Sequence, residues 1–203
     1  FLEDVFPYME KYHYQKGMKK IIQELQHFIK ANTYGTASDR ALLLDYQATL
    51  EPKTEKAIKL EKEALAQIKE TTKKNAHLVS NLHSNLGGLY RINGQLNLAK
   101  KHMEMGISLL EQYQLLYTND SIPQINNYAV LLTEIQEPDL ALSALQKLAQ
   151  IIKEYNSNHC LDYAQVQESL GSICLITANI SQAKTHFKKA LKIYEDIWAD
   201  EPE

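Results

Sequence analysis

The sequence predicts an all-α fold, a right-handed superhelix of about five antiparallel helix pairs, from three observations. First, small residues recur at one interval: Ala57, Ala99, Ala141 and Ala183 stand 42 residues apart. Two further columns keep the same interval, Asp45, Gly87, Ala129 and Gly171 on one side and Ala64, Gly106, Leu148 and Ala190 on the other. A fixed period between about 20 and 50 residues is the mark of a stacked-repeat architecture. Second, apolar residues inside each interval follow steps of three and four, the spacing of one helix face. Third, the composition favours helix. Seven Gly and five Pro in 203 residues are too few for an all-β chain with many tight turns, and Ala, Leu, Lys, Glu and Gln dominate.

The N-terminal segment, residues 1–38, is expected to be a divergent cap. Phe1–Tyr12 and Gln15–Ile29 read as a helix pair, with Val5, Met9, Met18, Ile21, Ile22, Leu25 and Phe28 as apolar contacts. The 42-residue frame supplies no small residues there. Asn32–Ser38 reads as a loop, with Ser38 or Asp39 capping the next helix. Residues 39–203 then read as four helix pairs in one continuous domain.

Each pair is two amphipathic runs around a short turn. In the best-preserved copy, Leu82, Leu86, Leu89 and Tyr90 line the first run and Ala99, Met103, Gly106, Ile107 and Leu110 the second. In the last copy Tyr163, Val166, Leu170, Ile173 and Cys174 precede Ile180, Ala183, Phe187, Ala190, Leu191, Tyr194, Ile197 and Trp198. The turns fall at Glu51-Pro52, Asn93-Gly94, Glu137-Pro138 and Ala178-Asn179. Asn-Gly can mark a β-hairpin, but the flanking period is 3.6, so Gly94 is expected to terminate a helix. Thr71–Asn75, Thr118–Pro123 and Asn156–His159 are polar stretches suited to connecting one pair to the next.

These residues resemble a known pattern. Leu86-Gly87, Tyr90, Gly94, Ala99, Met103 and Gly106 are similar to the tetratricopeptide repeat, and Leu170-Gly171, Ala183, Phe187 and Ala190 repeat it with Cys174 in place of the aromatic. Tyr128-Ala129, Ala141 and Leu145 fit with Leu148 at a small-residue position, while the copy around residues 44–64 keeps Ala57 and Ala64. The resemblance covers roughly residues 39–198. The usual unit has ~34 residues; 42 implies longer helices and resembles the repeats of kinesin light chains. Similar arrays serve as regulatory arms of bacterial signalling proteins. The resemblance implies a non-catalytic, peptide- or protein-binding scaffold, the sensor or interaction arm of a larger regulatory protein, with no cofactor.

Family geometry turns one stripe of each first helix into a concave groove. On this chain the stripes are Asp39, Leu42, Tyr46 and Thr49; Asn81, Ser84, Gly88 and Arg91; Pro123, Asn126, Val130 and Thr133; and Gln165, Glu168, Ser172 and Leu175, with Asn85 and Asn127 alongside. Amide side chains offer both a donor and an acceptor and suit an extended peptide backbone. The expected peptide contacts are therefore Tyr46, Asn81, Ser84, Asn85, Arg91, Asn126, Asn127, Thr133, Gln165 and Glu168. Gly88, Val130 and Ser172 occupy the column where chaperone-binding relatives place a clamp Asn, so a chaperone adaptor is not expected.

Other function classes lack residues. A net charge of −3 gives no nucleic-acid footprint. No apolar run approaches the ~20 residues that span a bilayer. The opening FLEDVFPYMEK is acidic and aromatic, unlike a signal peptide, and lacks an initiator Met, which fits a segment of a longer protein and equally a start lost to processing or disorder. Cys160 and Cys174 would sit roughly 21 Å apart along one helix, too far for a disulfide, and free thiols fit a cytoplasmic setting. His77 and His83 cannot share a helix face as a metal pair would, and no metal site is expected. Phosphate-loop, Gly-x-Ser-x-Gly and His-Glu-x-x-His motifs are absent. Between Lys53 and Lys74 the charges alternate in sign, with Glu55/Lys59 and Glu70/Lys74 at helical spacing, as on a solvated face. An alternative to peptide binding is self-association through terminal helices, since Ile180, Phe187, Ile197 and Trp198 lie in the last run without an evident capping helix.

Overall fold

The computed structural model describes residues 35–116, 121–155 and 160–199, together with 17, 20–22 and 24–25. Its helices are α1 (Ala37–Leu50), α2 (Thr54–Gln67), α3 (Ala76–Ile92), α4 (Leu96–Gln112), α5 (Ser121–Glu134), α6 (Pro138–Tyr155), α7 (Leu161–Ile176) and α8 (Ile180–Trp198). They form four consecutive pairs, and no strand occurs among the described residues. The chain divides into two compact units, Phe1–Leu109 and Leu110–Glu203.

In the first unit, small residues let helices approach closely. Ala41 of α1, Ala64 of α2 and Leu82 of α3 form one fully buried cluster. Gly87 of α3 faces Met103 and the carbonyl of Ala99 on α4, at 2.5 and 3.2 Å from where a Cβ would stand. Ser80 Oγ donates to the carbonyl of Gly106 at 2.9 Å, joining α3 to α4 where both are buried. Ahead of α1, Ile22 packs with Leu43, and Ile21, Leu25 and Tyr46 lie against them. Phe1–Tyr12 and most of Gln15–Ile29 lie outside the described residues.

In the second unit Leu131, Leu132, Leu145, Leu148 and Ile152 of α5 and α6 are fully buried, as is Leu170 of α7. Gly171 lies under the ring of Phe187, 2.9 Å from the nearest ring carbon to an added Cβ.

The turns inside three of the pairs share one geometry. Gly94, Gln136 and Ala178 have φ of 74°, 63° and 60°. The next residue's N–H reaches back to the helix: Gln95 to Tyr90 O at 2.8 Å, Glu137 to Leu132 O at 2.8 Å, Asn179 to Cys174 O at 2.7 Å. This six-residue closure satisfies carbonyls that a helix end leaves orphaned. The 42-residue frame places Pro52 at the equivalent position in the first pair. Its ring fixes φ near −65°, and α1 instead ends with Glu51 extended.

Local expectations are corrected at three places. The cap of α1 is Thr36, not Ser38 or Asp39: its Oγ1 accepts from Asp39 N at 3.2 Å while Asp39 Oδ2 accepts from Thr36 N at 2.7 Å, a reciprocal box. α5 starts at Ser121 and takes Pro123 into its first turn, where a missing N–H costs nothing. α2 ends at Gln67, so Glu70 and Lys74 do not share a helix, and Lys59 pairs with Glu63 at 3.8 Å.

Candidate functional site

The second unit holds a cavity of about 470 Å³ built by its two first helices, α5 and α7. Ala129, Val130, Thr133 and Glu134 line it from α5, Glu168, Ser169, Ser172, Ile173 and Ile176 from α7, and Leu145 of α6 forms its floor. Val130, Thr133, Glu168 and Ser172 belong to the two stripes that the sequence assigns to the groove. The spacing explains why: steps of three and four keep these residues on one face while Leu131, Leu132 and Leu170 turn inward.

The cavity is mainly apolar, with Thr133, Glu134, Glu168, Ser169 and Ser172 as the polar residues of its lining. Val130 and Ile176 expose 41% and 66% of their surface. Thr133 Oγ1 donates to the carbonyl of Ala129 at 2.9 Å, and Ser172 Oγ to that of Glu168 at 3.0 Å. Both protons thus turn back into their own helices, leaving the oxygens as acceptors. Glu168 Oε2 accepts from Tyr194 OH of α8 at 3.2 Å. Burial, then the Glu168 carboxylate, pushes the Tyr194 hydroxyl up from its ordinary value.

The other expected contacts are placed as follows. In the second unit Asn127 and Gln165 are exposed, and Asn126 is half-buried with its Oδ1 accepting no hydrogen bond. In the first unit Asn81, Ser84 and Arg91 are half-buried on α3. Tyr46 lies half-buried against Ile22 and Leu43. Asn85 is exposed, but its Nδ2 donates to Asp45 Oδ1 at 2.7 Å, so this amide braces α3 against α1.

Two titratable clusters in the first unit were not evident from the sequence. Glu61 of α2 is fully buried and hydrogen-bonds Asp45. Burial, reinforced by the Asp45 charge, pushes the Glu61 carboxyl up to about 10, and burial also raises Asp45. One proton is therefore held between two carboxylates. The second cluster joins His83 of α3 and His102 of α4, with Tyr90 stacked on His102 at 5.3 Å and Lys62 over the Tyr90 ring at 5.5 Å. Neither pairing has a sequence signature, because each joins residues 16 or 19 positions apart on different helices. Among the described residues no group of three or more His, Cys, Asp or Glu could hold a metal ion. Cys160 and Cys174 are free thiols. No described helix is long and apolar enough to cross a membrane.

Helix pairs at a 42-residue period with small residues at their crossings are the geometry of one repeat family, whose model, described as tetratricopeptide repeat, matches residues 121–196. Residues 121–196 are identified as tetratricopeptide repeats. Solved structures extend the likeness to nearly the whole chain. BtubC (BKLC) from P. vanneervenii is 18% identical with a TM-score of 0.77, over 90% of this chain and 72% of that one. The nearly identical TPR-like repeats of a Podosopora anserina putative kinesin light chain are 14% identical with a TM-score of 0.74, over 93% of this chain and 92% of that one. Bacillus thuringiensis PlcR, solved with the peptide PapR7 and DNA, is 18% identical with a TM-score of 0.69, over 97% of this chain and 69% of that one. At these identities the likeness concerns the fold. No curated protein sequence matches the chain.

Proposed function

We propose that this chain is a non-catalytic scaffold that captures a peptide or an extended protein segment, as the sensor or interaction arm of a larger regulatory protein. The observation that carries this reading is the cavity between α5 and α7, of about 470 Å³. It combines a mainly apolar lining with a few polar groups, which is the make-up of a ligand pocket. Its volume suits one or two side chains of a bound segment, and Asn126, Asn127 and Gln165 on the same two helices can hold the segment's backbone. Asn81, Ser84 and Arg91 would make the corresponding contacts in the first unit. The neighbour PlcR, solved with a bound peptide, makes a peptide the first ligand class to test.

A nonapeptide library presented to the immobilised protein tests the proposal. Ser172→Trp fills the cavity from an exposed position, so it should abolish capture while changing stability by no more than about 0.5 kcal/mol. Undiminished capture by a folded Ser172→Trp protein would sink the assignment.

A second reading, self-association, is favoured by α8. Ile180, Leu191 and Trp198 are spaced by 11 and 7 residues, which keeps them on one face, and all three are exposed. The partner would be a second copy of the chain. Light scattering across a concentration series decides it: a strict monomer excludes the reading, and dimerisation lost in Leu191→Lys supports it.

A further inference from the structure

We propose that the α5–α7 cavity receives one bulky apolar side chain, Leu, Met, Phe or Trp, from the bound segment. This rests on the peptide-binding reading and assigns the chemistry of the residue that anchors the ligand.

The repeat frame shows why a cavity lies here. Ala129 of α5, Leu145 of α6 and Ser169 of α7 belong to its lining. Two 42-residue periods earlier stand Asp45 of α1, Glu61 of α2 and Asn85 of α3. Those three form one polar set: Asn85 Nδ2 donates to Asp45 Oδ1 at 2.7 Å, and Glu61 hydrogen-bonds Asp45. Alanine, leucine and serine cannot build such a brace between three helices. At the equivalent place in the second unit is a space of about 470 Å³. The cavity thus follows from residues particular to this pair of helices and not from repeat packing in general.

Hydrogen bonding then decides which side chain suits it. Of the five polar residues in the lining, four are already engaged. The Thr133 and Ser172 hydroxyls donate to the carbonyls of Ala129 and Glu168 at 2.9 and 3.0 Å. Glu168 Oε2 accepts from Tyr194 OH at 3.2 Å, and Glu134 has an interaction of its own. A charged or amide side chain entering the cavity would give up its water and find little to replace it, which is costly. Neither α5 nor α7 contains a Lys or Arg, so an acidic side chain meets no counter-charge on either helix. An apolar side chain incurs neither loss.

The exposed surface supplies the gain. Val130 and Ile176, which line the cavity from α5 and α7, are 41% and 66% exposed. Leu175, next to Ile176 and in the stripe of α7 assigned to the groove, is 51% exposed. A side chain seated among them removes aliphatic surface from water on both partners, and the gain grows with the area covered. A cavity of this volume admits even an indole ring.

The test uses nonapeptides with blocked termini, Ala and Ser at the flanking positions, and a central Leu, Met, Phe, Trp, Ala, Gln, Lys or Glu. Amide chemical-shift titration follows the backbone of Thr133, Ser169 and Ser172. The Leu, Met, Phe and Trp series are expected to bind about ten- to a hundredfold more tightly than the Ala and Gln series, the effect of burying one such side chain. Lys and Glu should bind no more tightly than Gln, and added salt should leave the preference in place. Val130→Ser/Ile176→Ser changes two exposed positions, so the fold is retained, and it should shrink the preference. Binding of the Ala, Gln, Lys or Glu series as tight as the bulky apolar ones overturns the apolar assignment and leaves peptide binding standing. An apolar preference undiminished in the double variant overturns the placement in this cavity. Absence of shifts with every series overturns the peptide-binding reading as well.

Discussion

His83 Nδ1 and His102 Nδ1 lie 3.0 Å apart between α3 and α4. That contact requires one ring to donate and the other to accept, so at most one of the two nitrogens carries a proton. Burial pushes the His83 imidazole down to about 4, with the neighbouring His102 adding to the effect. His102 is lowered first by burial, then by Lys101 and Lys62. Both rings therefore titrate lower in the folded state than in the unfolded chain. Their contribution to stability is complete above pH ~6.5 and is lost as pH falls toward 4. For His83 the loss is on the order of 2–3 kcal/mol. Thermal melts from pH 7 to pH 4 should show this decline, and His83→Gln/His102→Gln, which cannot take up protons, should flatten it. An unchanged acid slope in the double variant would show that other groups set it.

Glu61 works in the opposite direction. Its folded-state carboxyl is raised to about 10, so at neutral pH it binds a proton that the unfolded chain lacks. The contribution is favourable below pH ~4.5 and is lost as pH rises toward 10. Its Oε2 is also buried without a hydrogen-bond partner. Glu61→Gln keeps the shape and a donor toward Asp45 and removes the need for the proton. It should raise stability by roughly 2 kcal/mol or more at pH 8 and by little at pH 4. Urea denaturation at the two pH values reads this, and equal effects at both would contradict a protonated Glu61.

The period and the pairing of helices were legible in the sequence because packing enforces them locally: Gly87, Ala99, Gly106 and Ala183 occur where a larger side chain meets a neighbouring helix. Gly94 announced its turn for the same reason. Gln136 and Ala178 hold the same left-handed conformation without a glycine, so only the repeat frame pointed to them. The groove stripes on α5 and α7 were readable as helix faces, but closure of a cavity around Thr133 and Glu168 depends on the distance between two helices. The role of Asn85 was hidden further, because its partner Asp45 lies 40 positions away. Asp45 itself stands in a column of small residues, and only the folded chain shows that Glu61 and Asn85 accommodate it there.

The left-handed turns give a backbone test. Ala178 has φ of 60° at an exposed position. A residue with a Cβ is disfavoured there by roughly 1–2 kcal/mol, part of which glycine gives back as unfolded-chain entropy. Ala178→Gly should therefore stabilise the chain by about 0.5–1 kcal/mol, whereas Gly94→Ala should destabilise it by a similar amount. Both changes are measurable as shifts in the denaturation midpoint. Destabilisation by Ala178→Gly would mean that the turn is not left-handed in solution.

Gly87 and Gly88 are neighbours on α3 with opposite surroundings. A Cβ on Gly87 would stand 2.5 Å from Met103 Cγ and 3.2 Å from the Ala99 carbonyl, whereas one on Gly88 meets nothing within 4 Å. The Met103 side chain can turn aside, but it is buried and the Ala99 carbonyl belongs to the backbone of α4. Gly87→Ala should thus force α3 and α4 apart and cost about 1–3 kcal/mol. Gly88→Ala adds only helix propensity and should stabilise by about 0.5–1 kcal/mol. The two substitutions are chemically identical and one residue apart, so a difference in sign isolates the helix contact from propensity. If both stabilise, the close approach of α3 to α4 at Gly87 is wrong.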